Sequence, residues 1–267
     1  MNVRLRNNIV VQGEGEMTLL FAHGFGCDQS MWRLTEPAFR DRYRTVVFDL
    51  VGNGRSDLAS YDAVKYASLH GYASDVIEIA ASVADTPIVF VGHSVSAVIG
   101  LLAANQVPGM FIGQVMVCPS PSYIDDGDYI GGFSQEDIDG LLDTLDDNYL
   151  GWSASMAPVI MGAPDQPELS DELVNSFCRT DPEISQKFAR VTFLSDHRDD
   201  VLKCTVPTLI LECTDDIIAP RSVGQFMHES MPGSTLVAIE NVGHCPQLSA
   251  PGPTNAAIDA FLAGLAR

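Results

Sequence analysis

Six short runs of this chain are apolar at consecutive positions, not at alternate ones. They are "TLLFA" from Thr18, "TVVFDL" from Thr45, "PIVFVG" from Pro87, "QVMVC" from Gln114, "PTLILEC" from Pro207 and "TLVAIE" from Thr235. Each is short, bounded by turn residues and rich in Val, Ile, Leu or Phe, which reads as a strand. A strand that is apolar on both sides is stable only where both faces of its sheet are covered, the usual condition of a parallel sheet. Helical periodicity fills the intervals. Tyr72, Val76, Ile79, Ala80 and Val83 recur at helical spacing, with Asp75, Glu78 and Ser82 expected on the other side. "VSAVIGLLAANQ" after Ser94 is apolar all round and rich in small residues, as suits a helix packed on a sheet. "NAAIDAFLAGLA" gives a last amphipathic helix, and the opening "VRLRNNIVVQGEG" is expected as an antiparallel edge. Strands alternating with helices predict an α/β fold with a mainly parallel central sheet and helices on both faces.

The alternation fails once. From 120 to 200 the chain shows helical patterns such as "SQEDIDGLLDTLDDNYLGW" and "PELSDELVNSFC", and no convincing strand. Ligand sites in open α/β sheets lie at the carboxyl ends of the strands. An all-helical insertion that follows the strand "QVMVC" is placed to cover such an end. The expected division is therefore a core of 1–119 and 201–267 with a helical lid over 120–200. At 267 residues, one domain with an insertion can bury a full core.

The formal net charge of −20 argues against nucleic acid or an anionic membrane as partner, since either calls for a basic surface. No lysine or arginine occurs between Tyr66 and Cys178. The chain has no apolar run of about 18 residues to span a membrane. "MNVRLRNNIV" lacks the apolar segment of a signal peptide, so a cytoplasmic protein is expected. Six cysteines are scattered without the paired spacing of a zinc site, and they read as free thiols. Neither a metal nor an organic cofactor is expected.

The chemistry is concentrated after three of the strands. Gly92-His93-Ser94-Val95 fits the first four positions of the turn G-x-S-x-G, which exposes a nucleophilic serine between a strand and a helix; the fifth position is Ser96. Strand and helix approach closely at such a turn, so its neighbours must be small, and Ser96 adds only a hydroxymethyl group. His244, in "NVGHCPQLSAP" after the last strand, can act as base and then as acid near neutral pH. The acid follows "PTLILEC": Asp215 and Asp216 are both available, and the D-x-x-x-P spacing to Pro220 favours Asp216. The chain order Ser94, Asp216, His244 is that of α/β-hydrolases, not of the two common protease arrangements. An oxyanion hole needs two backbone N–H groups. Val95 after the nucleophile supplies one, and Phe25 in "FAHGFGCDQSMW", between Gly24 and Gly26, supplies the second.

Several segments together resemble one family. "AHGFGCDQSMW", "FDLVGNGRSD", "GHSVSAVIG", "CPSPSYIDDGDYIGGF", "CRTDPEI", "SDHRDD", "CTDDIIAP" and "GHCPQLS" are similar to the RsbQ-like bacterial stress-signalling hydrolases and to their plant relatives, the karrikin and strigolactone receptors. Serine at position 96 resembles the plant pattern, whereas RsbQ keeps glycine there. The resemblance implies an α/β-hydrolase fold and a V-shaped lid of four helices over an apolar pocket. It places Tyr123, Phe133, Trp152 and Phe193 at that pocket, with Met156 where plant members often carry an aromatic. It implies two functional readings. One is a serine hydrolase of small apolar esters or lactones, working through Ser94, His244, Asp216 and an acyl-enzyme. The other is a small-molecule sensor with slow hydrolysis and a signalling protein partner at the lid.

Overall fold

The computed structural model describes residues 2–265 of the chain. Seven strands form one sheet: β1 Val10–Gln12, β2 Thr18–Ala22, β3 Arg44–Phe48, β4 Ile88–His93, β5 Phe111–Val117, β6 Thr208–Asp215 and β7 Ser234–Val242. Their spatial order is β1-β3-β2-β4-β5-β6-β7, parallel throughout except for β1, which runs antiparallel to β3. The six apolar runs thus became the six parallel strands. The expected N-terminal edge is shorter than its sequence suggested. Val3–Arg6 forms a single helical turn capped by Asn2, and only three residues pair with β3.

Side chains alternate between the two faces of a strand, so each apolar run feeds two cores. Leu19, Phe21, Val89, Val91, Val115 and Val117 pack on one side with Ile258 and Leu262 of the C-terminal helix Pro251–Leu265. Leu20, Val46, Phe48, Ile88 and Phe90 pack on the other with helices Leu69–Ser82 and Val95–Gln106. Tyr72, Val76, Ile79 and Ala80 face that core as their spacing required. Asp75 departs from expectation, because it is buried. The Lys65 ammonium, the Arg6 guanidinium and the Tyr66 hydroxyl converge on its carboxylate and compensate the burial.

Between β5 and β6 lie four long helices, Gln135–Asp147, Tyr149–Met161, Pro167–Arg179 and Pro182–Phe193, and then the single turn Arg198–Val201. Their starts are written in local chemistry. Ser134 and Asp137 form a reciprocal capping box, and Asp181 caps the fourth helix ahead of Pro182. The run "SQEDIDGLLDTLDDNYLGW" is two helices, not one. Asn148 leaves helical geometry (φ −153°, ψ 76°) and its side chain accepts the Gly151 N–H, which ends one helix and caps the next. Ahead of the first helix, single backbone pairings join Ile124 to Phe133 and Asp126 to Tyr129. No helix among the described residues is long and apolar enough to cross a membrane.

Candidate active site

Four loops at the carboxyl edge of the sheet bring the candidate residues together. Ser94 directly follows β4 and adopts φ 55°, ψ −125°, a conformation costly for any residue with a Cβ. That strain is what lifts the side chain off the strand before the helix begins. Gly92 is forced by the same closeness: a Cβ there would lie 2.6 Å from the Ser96 carbonyl oxygen. Ser96 fits, fully buried, and its hydroxyl donates to the His23 carbonyl, tying the helix to the loop that carries Phe25.

His244 Nε2 lies 2.8 Å from Ser94 Oγ and accepts its proton, while Nδ1–H donates to Asp216 Oδ2 at 2.7 Å. Asp216 Oδ1 in turn accepts the N–H groups of Ile218 and Ala219 at 2.9 and 3.1 Å. Burial pushes the Asp216 carboxyl up, but His244 and the two N–H donors together outweigh it and hold the group below the usual carboxylate range. Asp215 is exposed in the last position of β6; its carbonyl, not its carboxylate, meets the His244 loop by accepting the Gly243 N–H at 2.7 Å.

Val95 opens the helix after Ser94, so its N–H is one of the first-turn amides with no carbonyl behind it. The Phe25 ring is packed by Trp152, Phe177, Phe188 and Phe193 at centroid distances of 5.7–6.2 Å. These contacts hold the loop that bears its amide from the lid side.

A cavity of about 40 Å³ is bounded by Ser94, His244 and the helical insertion. Tyr123, Trp152, Met156 and Phe193, four of the positions that the resemblance places at a pocket, line it together with Phe25. Phe133 does not. Its backbone is bonded to Tyr123 and Asp125, and its half-buried ring packs against the hydrophobic core without lining the cavity. Sequence reasoning missed other wall residues. Ile160 extends Trp152 and Met156 at one-turn spacing, and Leu173 and Phe177 repeat the pattern on the next helix, so lid periodicity could have found them. Thr192 and His93 carry no such signal. Burial pushes the Tyr123 phenol above its ordinary range, opposed by an interaction with the Ser94 side chain.

His93 sits inside the elbow motif and its Nε2–H donates to the His244 carbonyl at 2.8 Å. Burial, and then the nearby His244, lower its pKa to about 3, so the ring is neutral. Among the described residues one trio has ligand-type atoms within 4.8 Å of one another, Cys118, Asp216 and His244. Asp216 and His244 are already committed to each other and to Ser94. All six cysteines are free, and burial pushes the Cys27 thiol far up, away from nucleophilic use.

A strained serine elbow after β4, a carboxylate after β6 and a histidine after β7, under a helical cap, define an α/β-hydrolase. The model of the alpha/beta hydrolase family matches residues 19–257, and the chain belongs to that family. Within it, the chain is 36% identical over 246 residues to the Karrikin insensitive 2 receptor CA of Petunia hybrida, covering 92% of this chain and 91% of that one. It is 36% identical over 245 residues to the Strigolactone esterase D14 of Arabidopsis thaliana, with 91% of each chain covered. A solved hydrolase from Oleispira antarctica superposes with a TM-score of 0.95 at 41% identity, over 98% of this chain and 96% of that one.

Proposed function

We propose that the protein is a serine hydrolase that cleaves small, apolar esters or lactones through an acyl-enzyme. The observation that carries this reading is the unbroken relay from Ser94 Oγ through His244 to Asp216, 2.8 and 2.7 Å long, opening on an apolar cavity. Ser94 Oγ attacks the acyl carbon as His244 Nε2 takes its proton. Asp216 fixes the tautomer with Nδ1 protonated and stabilises the imidazolium that forms. The Val95 and Phe25 N–H groups receive the tetrahedral oxyanion. His244 then protonates the leaving oxygen, and a water activated by the same nitrogen releases the acid. Residues 120–200 act as the lid, and the small cavity limits substrates to short acyl groups or requires the lid helices to part. The decisive measurement is labelling by a serine-directed phosphonate together with turnover of a panel of esters. Ser94→Ala should abolish the label and lower turnover about 10⁴-fold or more. Equal labelling of the variant would refute the assignment, and preference for a palmitoyl or phosphorylated substrate would refute the pocket reading.

A second reading is favoured by the relatives that are named receptors and by the absence of basic residues between Tyr66 and Cys178, which leaves the first half of the lid acidic. In it the protein is a sensor whose lid meets a basic protein partner, with hydrolysis slow. Multiple-turnover kinetics separate the two. A burst of one product equivalent followed by near-arrest supports the sensor; sustained turnover supports the hydrolase.

A further inference from the structure

Two residues that line the cavity, His93 and Thr192, each carry a buried polar atom without a hydrogen-bond partner among the described residues, Nδ1 and Oγ1. Their situations differ. His93 Nδ1 is pressed against Gly24, where even a Cβ would lie 2.5 Å away, and that packing leaves no room for a ligand atom. Thr192 stands in the last turn of helix Pro182–Phe193 and is 1% exposed. A helical threonine or serine commonly turns its hydroxyl back to the carbonyl one turn earlier. Thr144, Ser153 and Ser155 in this same insertion do so, donating to Gly140, Tyr149 and Gly151. Thr192 does not. A buried hydroxyl without a partner is destabilising, and valine would fill the same space without that cost.

We propose that Thr192 is a ligand-binding hydroxyl. It hydrogen-bonds a second oxygen of the substrate, remote from the carbonyl that Ser94 attacks. The site thereby selects small neutral esters or lactones bearing an extra ether or carbonyl oxygen over their hydrocarbon counterparts. Neutrality follows from the wall, which includes no Asp, Glu, Lys or Arg among the described residues. Discrimination follows because a site built to bond an oxygen leaves its own hydroxyl unpaired when a methylene arrives instead. The inference rests on the hydrolase reading and adds the substrate class.

The test uses two pairs of esters that differ by one oxygen in place of one methylene. Para-nitrophenyl methoxyacetate and butanoate place it on the acyl side; tetrahydrofuranyl and cyclopentyl acetate place it on the alcohol side. The kcat/KM ratio within each pair is compared between wild type and Thr192→Val, Thr192→Ala and Thr192→Ser, which cancels intrinsic reactivity. The valine and alanine variants should lower the oxygen preference about tenfold or more in at least one pair. The serine variant should retain it, and the valine variant should melt no lower than wild type. Unchanged ratios in both pairs, with Ser94-dependent turnover intact, would overturn the Thr192 assignment and leave the hydrolase reading standing. Absence of Ser94-dependent turnover on all the esters would instead remove that reading. The same ratios, taken from ester affinities for Ser94→Ala protein by tryptophan fluorescence, then decide the role of Thr192.

Discussion

Asp215 and Asp216 are neighbours in sequence with opposite surroundings. One is exposed at the end of β6; the other is buried, bonded to His244 and to two backbone N–H groups. Replacing the acid with asparagine leaves the imidazole in the wrong tautomer, at a cost of roughly 10⁴-fold in turnover. Steady-state kinetics should show that loss for Asp216→Asn and less than about tenfold for Asp215→Asn; the reverse ranking would move the acid by one residue. His93 makes a prediction about pH. Its folded pKa of about 3 lies below the ordinary histidine value, so between these values the unfolded chain binds a proton that the folded chain does not. Its contribution to stability is therefore complete above pH ~6.5 and is lost progressively as pH falls toward the folded pKa. Between pH 7 and 5 that loss is about 2 kcal/mol. Urea unfolding of His93→Asn, which keeps a donor for the His244 carbonyl, should show a pH 7-to-5 decline smaller by about this amount. Sequence spacing made Ser94 and His244 legible, and the proline offset favoured Asp216. It read Ser96 only as a small residue and gave His93 no role. The bonds of both run to carbonyls on distant loops, His23 and His244, and no local pattern records them.

The second helix of the insertion is joined to the His244 loop by a backbone hydrogen bond. The His244 N–H donates to the Ile160 carbonyl at 2.8 Å, one of the helix-end acceptors without an intrahelical partner. Gly243 makes the approach possible: it adopts φ +100°, and a Cβ there would lie 2.1 Å from the Met161 carbonyl oxygen. Gly243→Ala therefore has to strain or displace the backbone that positions His244. Strain of this kind costs on the order of 1–3 kcal/mol, and kcat should fall by at least about tenfold, one decade per ~1.4 kcal/mol of barrier. Gly233→Ala is the control, since nothing lies within 4 Å of its Cβ position. Urea melts and kcat measured on both variants check the contrast; equal behaviour would mean that the helix end does not hold the base. At this scale the strands and the insertion were legible, because apolar runs and helical periodicity are local. The break at Asn148 was not, because an asparagine can sit within a helix as well as end one.

Across the whole molecule, a net charge of −20 repels itself in the compact state more than in the expanded one. Salt screens this repulsion, with a Debye length of about 10 Å at 0.1 M. The Tm should rise as sodium chloride goes from about 0.01 M to about 0.5 M. A flat or falling Tm over that range would mean that the ion pairs, such as Arg6 and Lys65 with Asp75, outweigh the general repulsion.

The sequence by itself determined the class of fold, because runs apolar on both sides require covered parallel strands and because the motif order 94, 216, 244 follows those strands. It also located the three residues that the fold brings together, Ser94, Asp216 and His244, since each sits beside a strand end that the pattern locates. The tertiary structure alone decided what surrounds them. Phe133 left the cavity, Phe177 and Thr192 entered it, and Asp75 went inside to meet three partners. A residue's own type and spacing set which element it joins, whereas its partners come from segments far along the chain, and only the packed fold brings those within bonding distance.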